Sequence, residues 1–287
     1  MSLPRPRRVA LGAGVAALTA LTVGELRQRR RIARRTRDLY RTAMSRDRTV
    51  SAADFAELPE PVRQYFEHVL PTDQPHIDSV RLEQTGRLRV GGLDSAWKPF
   101  TATQHVTTHP PGFFWDASVR MWPLVPVRVA DFYHDGNGHA AVTLFGLLSL
   151  GRDTATPELN HGELLRYLAE AVWYPTALLP SAGVEWEAID ERTAAATLTH
   201  GETTAMLTFH FTANNEVSKV HAEDRPRRVA DGYESTPWTG RWRDYQTRNG
   251  VRVPTAGEVV WHLPEGDLSA WRGRLTEISY PLRAGSG

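Results

Sequence analysis

No cysteine occurs among the 287 residues. That excludes disulfides, thiolate nucleophiles, cysteine-ligated zinc and iron–sulfur clusters together, and leaves the redox compartment open. Lysine is almost missing as well. Only Lys98 and Lys219 occur, so the positive charge is nearly all arginine, a bias that fits a GC-rich coding sequence better than a phosphate-gripping face. There is no glycine-rich phosphate loop and no H-E-x-x-H spacing. No cofactor is therefore expected, and no nucleic-acid partner. No apolar run reaches the ~20 residues that span a bilayer comfortably.

What is present begins with an uneven charge distribution. The net charge is +1, yet residues 1–48 carry thirteen arginines against Glu25, Asp38 and Asp47, a balance of +10, and the remainder stands at −9. Arg5, Arg7 and Arg8 precede an uncharged run, Val9–Gly24; seven arginines between Arg27 and Arg37 follow it. The arginine excess on the C-terminal side predicts an uncleaved hydrophobic anchor over residues 1–24, with the rest of the chain cytoplasmic. The run also has the length of a signal-peptide core, so export is the alternative, and an interfacial or soluble basic helix is a third. Residues 25–50 read as a basic stalk, either solvated or set against anionic lipid head groups.

Residues 51–287 read as one domain, long enough to bury a core without metal or disulfide. Ser51 is a candidate N-cap. Pro61 suits the first turn of a short helix whose Val62, Tyr65, Phe66, Val69 and Leu70 share a face, and that helix is expected to cover an edge or open end of a sheet. From Ser79 the chain alternates short β-rich runs with Gly, Pro and Asn turns every 10 to 12 residues, the pattern of an antiparallel meander or barrel. About eleven or twelve strands are expected, making a mainly β (α+β) fold with N-terminal helices. Asn249-Gly250 marks a tight hairpin, because both central residues of such a turn need φ > 0. One helix interrupts the strands. Thr156 is its N-cap, Pro157 its first residue, and Pro175 stops or kinks it. Leu164, Leu165, Leu168, Ala171 and Val172 form its apolar face. The other face mixes Glu163, Arg166 and Glu170 with Tyr167, Trp173 and Tyr174, where a solvated face would show small polar residues. This helix is expected to be covered on both sides or to line a cavity.

Four segments, LPEPVRQYFEHVLP, TPELNHGELLRYLAEAVWYPTALLP, AEDRPR and TPWTGRWRDYQTRNGVRVPTAGEVVW, resemble an uncharacterised bacterial and archaeal family. The hairpin is also similar to the sheet of lipoprotein localisation factors. That resemblance implies a curved antiparallel half-barrel around helices, with acyl chains held in the hollow, and an outer-membrane lipoprotein carrier of that type is periplasmic. It brings no catalytic residues.

The leading expectation is thus non-catalytic binding of an apolar or amphipathic ligand, a lipid or acyl chain, at or near a membrane. The candidate ligand residues are Glu163, Arg166, Tyr167, Glu170, Trp173, Tyr174, Trp242 and Trp261. Among them, Trp173, Trp242 and Trp261 are the tryptophans expected to line a cavity. The rival is a hydrolase-type enzyme using the carboxylates Asp116, Asp131 or Glu163. However, Ser118 lacks the G-x-S-x-G elbow, and Asp and Arg on adjacent strands are more often a salt bridge. A protein-interaction module at the membrane surface is a third reading. His105 and His109 lie about 13 Å apart on a strand, so no metal site is expected. Oligomeric state is open.

Overall fold

The computed structural model describes the backbone of residues 5–122, 125–145 and 147–281, and the side chains of 22–121, 127–145 and 147–281. Three α-helices and thirteen strands follow in the order α1 (Arg5–Thr42), α2 (Glu60–Val69), β1 (Ser79–Arg89), β2 (Trp97–Thr108), β3 (Pro111–Trp122), β4 (Val125–His134), β5 (Asn137–Leu144), β6 (Leu148–Thr154), α3 (Pro157–Glu170), β7 (Val184–Asp190), β8 (Thr193–His200), β9 (Thr203–Phe211), β10 (Val217–Val229), β11 (Gly232–Arg248), β12 (Val251–Leu263) and β13 (Gly266–Ser279). The mainly β, antiparallel architecture matches the expectation, with thirteen strands in one sheet where eleven or twelve were counted. The unforeseen strand is β6, in which no residue is buried, so it offers no alternating pattern to read.

The sheet is an open meander in the order β6-β5-β4-β3-β2-β1-β13-β12-β11-β10-β9-β8-β7. First and last strands therefore pair at its centre, and β6 and β7 form its two edges. The chain crosses between those edges only once, through α3 and three short 3-10 turns that end at Ala182. α3 packs against β9 and β10 from one half of the sheet and β5, β4 and β3 from the other. A sheet that touches one helix with both halves must curve around it. The inner positions follow the period of two: Ala205, Leu207, Phe209 and Phe211 of β9 are buried, while Met206 between them is 61% exposed. α2 buries Val62, Tyr65, Phe66 and Val69 and covers an end of the hollow against β8 and β12.

Local signals hold where backbone chemistry is strict. Thr156 Oγ1 accepts from Leu159 N at 3.2 Å, with Pro157 in the first turn. The α-helix proper ends at Glu170, before Pro175, and continues as 3-10 turns. Asn249 and Gly250 have φ of 48° and 84°, as their hairpin turn requires.

Residues 25–42, read above as part of a basic stalk, lie along the outer face of the sheet. Leu39 is buried against Phe114 and Phe132, with Ile32 beside them, and Arg35 stacks over Phe132 at 4.5 Å. Gln28 Nε2 donates to Asp116 Oδ1 at 2.6 Å. Among the described residues no helix is long and apolar enough to cross a membrane; most of the Val9–Gly24 run, on which the anchor reading rests, lies outside the described side chains.

Three glycines stand side by side across the central strands. Gly257 of β12 pairs with Gly273 of β13, which pairs with Gly86 of β1. A Cβ on Gly257 would lie 2.8 Å from the Trp242 ring, and one on Gly273 would lie 2.2 Å from the Trp271 ring. The missing side chains let large rings lie flat on the strands. Gly273→Ala is expected to cost about 1–3 kcal/mol by overpacking, whereas Gly151→Ala, at an edge position with open space around it, should stay within about 0.5 kcal/mol. Urea denaturation of the two variants checks the contrast; equal small costs would remove the packing role assigned to the row.

Candidate functional site

The hollow between α3 and the central strands contains a cavity of about 210 Å³. Six tryptophans line it: Trp115 from β3, Trp173 after α3, Trp238 and Trp242 from β11, Trp261 from β12 and Trp271 from β13. The register of the sheet explains the convergence. Trp238 pairs with Trp261, and Trp242 pairs with Gly257; register partners share a face, so all three rings project inward. Trp173 meets Trp242 edge to face at 4.9 Å, and its Nε1 donates to the Pro254 carbonyl at 2.9 Å. Trp238 and Trp242 differ from it: their buried Nε1 atoms have no acceptor.

A polar seam runs along one wall. Arg166 of α3 donates through Nε to Glu170 Oε1 at 2.8 Å and through a terminal nitrogen to Asp131 Oδ2 at 2.6 Å. Its guanidinium also lies 4.9 Å from the Phe113 ring centre and 5.1 Å from that of Trp115. The other Glu170 oxygen accepts from Gln104 Nε2 at 2.6 Å; Gln104 Oε1 accepts from Gln84 Nε2 at 3.3 Å; Gln84 Oε1 accepts from Trp115 Nε1 at 2.9 Å. One chain of hydrogen bonds thus joins α3 to β4, β2, β1 and β3. Burial works against the Arg166 charge, but Glu170, Asp131 and Glu163 outweigh it and hold its pKa above the usual value. Burial raises the pKa of Asp131 despite Arg166.

Glu163 departs from the expected arrangement. It makes no ion pair with Arg166, whose second partner is Asp131. Glu163 is buried, and its Oε2 has no hydrogen-bond partner. Burial, reinforced by the Asp131 charge, pushes its pKa up to about 8.

Of the eight residues proposed from sequence, Arg166, Glu170, Trp173, Trp242 and Trp261 line the cavity, and Glu163, Tyr167 and Tyr174 do not. The two tyrosines are core: both are fully buried, their rings are 5.6 Å apart, and Tyr174 Oη donates to the Tyr167 carbonyl at 2.9 Å. The three carboxylates of the hydrolase reading do not share a site. Trp115 is the register partner of Asp131, so Asp131 faces inward and Asp116, one residue along, faces out beneath α1. There Asp116 is held by Gln28 and by Arg128 at 3.3 Å. His105 Nδ1 lies 2.9 Å from Tyr40 Oη, and Arg46 reaches His109 Nδ1 at 2.9 Å. No metal-holding cluster of His, Asp and Glu occurs among the described residues.

Sequence reasoning missed Gln84, Trp115, Asp131, Arg225, Trp238 and Trp271 as cavity residues. One of them had a signal. Counting equally back from Asn249-Gly250 places Trp238 opposite Trp261, which makes Trp238 a neighbour of a residue already chosen. Arg225 had none, for it sits just past a β-bulge that reverses its face. Two residues of β10, Glu223 and Asp224, oppose the single Pro237 of β11 between the Ala222–Trp238 and Arg225–Thr236 pairs. The extra residue turns Arg225 onto the inner face, where regular alternation would have placed it outside.

Two variants test the seam. Arg166→Ala leaves two mostly buried carboxylates without their cation, so a loss of about 3 kcal/mol or more is expected in chemical denaturation. A change below about 0.5 kcal/mol would mean that the pair behaves as a solvated one. Glu163 binds a proton more tightly folded than unfolded, so its contribution is full below the ordinary carboxylate pKa of 4.5 and is lost as pH rises through about 8. The urea midpoint should fall from pH 5 to pH 9, and Glu163→Gln should remove most of that fall. A slope unchanged in Glu163→Gln would assign the titration to another group.

The chain is similar to a LolA superfamily protein from Nitrosomonas europaea, at 12% identity and a TM-score of 0.42, over 77% of this chain and 92% of that one. It is also similar to a domain from Vibrio parahaemolyticus described as an outer-membrane lipoprotein-sorting protein, at 9% identity and a TM-score of 0.41, over 79% of this chain and 93% of the other. No curated protein matches the sequence. The model of a family of unknown function, DUF6920, matches residues 56–280, and the chain belongs to that family.

Proposed function

We propose that the chain binds a small apolar or amphipathic molecule, an acyl chain or the apolar part of a lipid, in the tryptophan cavity without transforming it. The observation that carries this reading is the wall itself: six indoles around about 210 Å³. That volume is below the roughly 300–1,000 Å³ of pockets that engulf a drug-sized ligand, so the cavity suits part of a chain. Asp131 and Glu170, the two carboxylates that line it, are committed to Arg166. Neither is poised as a free acid or base, which favours binding over hydrolysis.

Placement near a membrane belongs to the proposal. It rests on the Val9–Gly24 run and on the arginines after it, of which Arg31, Arg34 and Arg35 line an outer recess together with Arg152. The same charge pattern puts the sheet on the cytoplasmic side, with export as the alternative. A reporter that works only outside the cytoplasm, fused after Gly287, should stay silent; a signal from it would place the sheet outside.

Ligand uptake has a direct readout, because six of the nine tryptophans face the cavity. Titrating the full chain with 1-octanol is expected to give a saturable change in tryptophan emission, and Trp242→Ala should weaken it by more than its loss of stability explains. Emission that drifts without saturation with 1-octanol and with octanoate alike would sink the binding reading.

A further inference from the structure

Two arginines reach the tryptophan cavity, and they are held differently. Arg166 has two carboxylates within 3 Å. The Arg225 side chain makes no hydrogen bond and no ion pair among the described residues, and its Nε is sealed from solvent without an acceptor. Its guanidinium is flanked by aromatic faces, 4.5 Å from the Trp238 ring centre and 5.4 Å from that of Trp261. Burial lowers its pKa to about 10, so the group still carries its charge at neutral pH. A second donor on the same wall is in the same condition. Trp238 is 2% exposed, and its Nε1 has no partner.

Unsatisfied buried donors are rare in folded proteins because each costs the desolvation of a polar group. A guanidinium presents a planar fork of N–H groups that matches the two oxygens of a carboxylate or phosphate, and in a dry site such bonds are stronger than neutral ones. The bulge at Glu223–Asp224 turns Arg225 into the cavity when a regular strand would have turned it out. Glu163 lies in the same field, but it makes no contact that would satisfy Arg225.

Building on the binding reading above, we propose that the cavity is selective for anionic amphiphiles. Arg225 takes the carboxylate or phosphate oxygens of the ligand, the Trp238 indole N–H supplies a second donor to the same head, and the alkyl part lies against Trp173, Trp242 and Trp271. A neutral alcohol fits the same walls and its hydroxyl can accept from one donor, but it brings no counter-charge to Arg225.

The test compares octanoate, octyl phosphate, 1-octanol and inorganic phosphate on the full chain, by tryptophan emission and by calorimetry. Octanoate and octyl phosphate are expected to bind at least tenfold more tightly than 1-octanol. Arg225→Gln should bring octanoate and 1-octanol to within about twofold of each other, chiefly by weakening octanoate. Trp238→Phe, which keeps a ring and removes the N–H, should reduce the ratio by a smaller factor. Equal binding of octanoate and 1-octanol to the unaltered chain overturns this inference and leaves the cavity reading intact. Binding of neither overturns both. Inorganic phosphate that displaces octanoate at comparable concentration would show a site for the free anion, which also overturns the proposal. Should Arg225→Gln fail to fold, the ratio measured on the unaltered chain decides alone.

Discussion

Arg166 sits between Asp131 and Glu170 at hydrogen-bonding distance in a mostly buried seam, and most of the architecture leans on that contact. The helix that carries it is the only link between the two edges of the sheet. Apolar packing alone would let a leucine-faced helix rotate or slide, since dispersion and area burial have little direction. A guanidinium with two fixed acceptors has a definite orientation. The bonds to β4 and, through Glu170, Gln104, Gln84 and Trp115, to β2, β1 and β3 fix one face of the helix toward one half of the curved sheet. Burying such a group adds little net stability, because desolvation offsets much of the attraction. What it supplies is position, and a wall of a cavity needs position.

The glycine row makes a complementary contribution from the opposite wall. Gly86, Gly273 and Gly257 weaken their strands as backbone elements. Their lack of Cβ atoms lets Trp242 and Trp271 lie against the sheet. Side chains at those positions would push the rings into the hollow. Polar seam and glycine row together keep open a space that close packing would otherwise fill.

Much of this was legible along the chain, and the limits have physical causes. Turn and cap chemistry acts over a few residues, so Asn249-Gly250 and Thr156-Pro157 could be read directly. Alternation revealed strands wherever one face is buried, and failed for β6, which has no buried face. The mixed face of the interrupting helix was correctly marked as covered. Its partners were not, because Asp131 lies 35 residues away and meets Arg166 only after the chain turns back through β5 and β6. Helical spacing alone offers Arg166 both Glu163 and Glu170, and only Glu170 pairs with it. Docking of α1 was hidden for a related reason. Ile32 and Leu39 are sparse, and Phe114 and Phe132, which receive them, occupy positions that alternation assigns to solvent.

Arg225 shows where a bulge changes the chemistry of a site. Had β10 been regular, this arginine would point outward beside Glu223 and Asp224, both exposed, with water or a carboxylate to satisfy it. One inserted residue moves the charge through the sheet to a wall of indoles. Stacking on aromatic faces returns about 0.5–2 kcal/mol, and the sealed Nε still lacks an acceptor. The two arginines of the cavity are thus in opposite states. Arg166 spends its donors within the protein and sets the shape of the hollow. Arg225 keeps its donors free at the same surface, beside the unpaired Trp238 Nε1, so the chemistry left unsatisfied there is the chemistry that tells a charged guest from a neutral one of the same length.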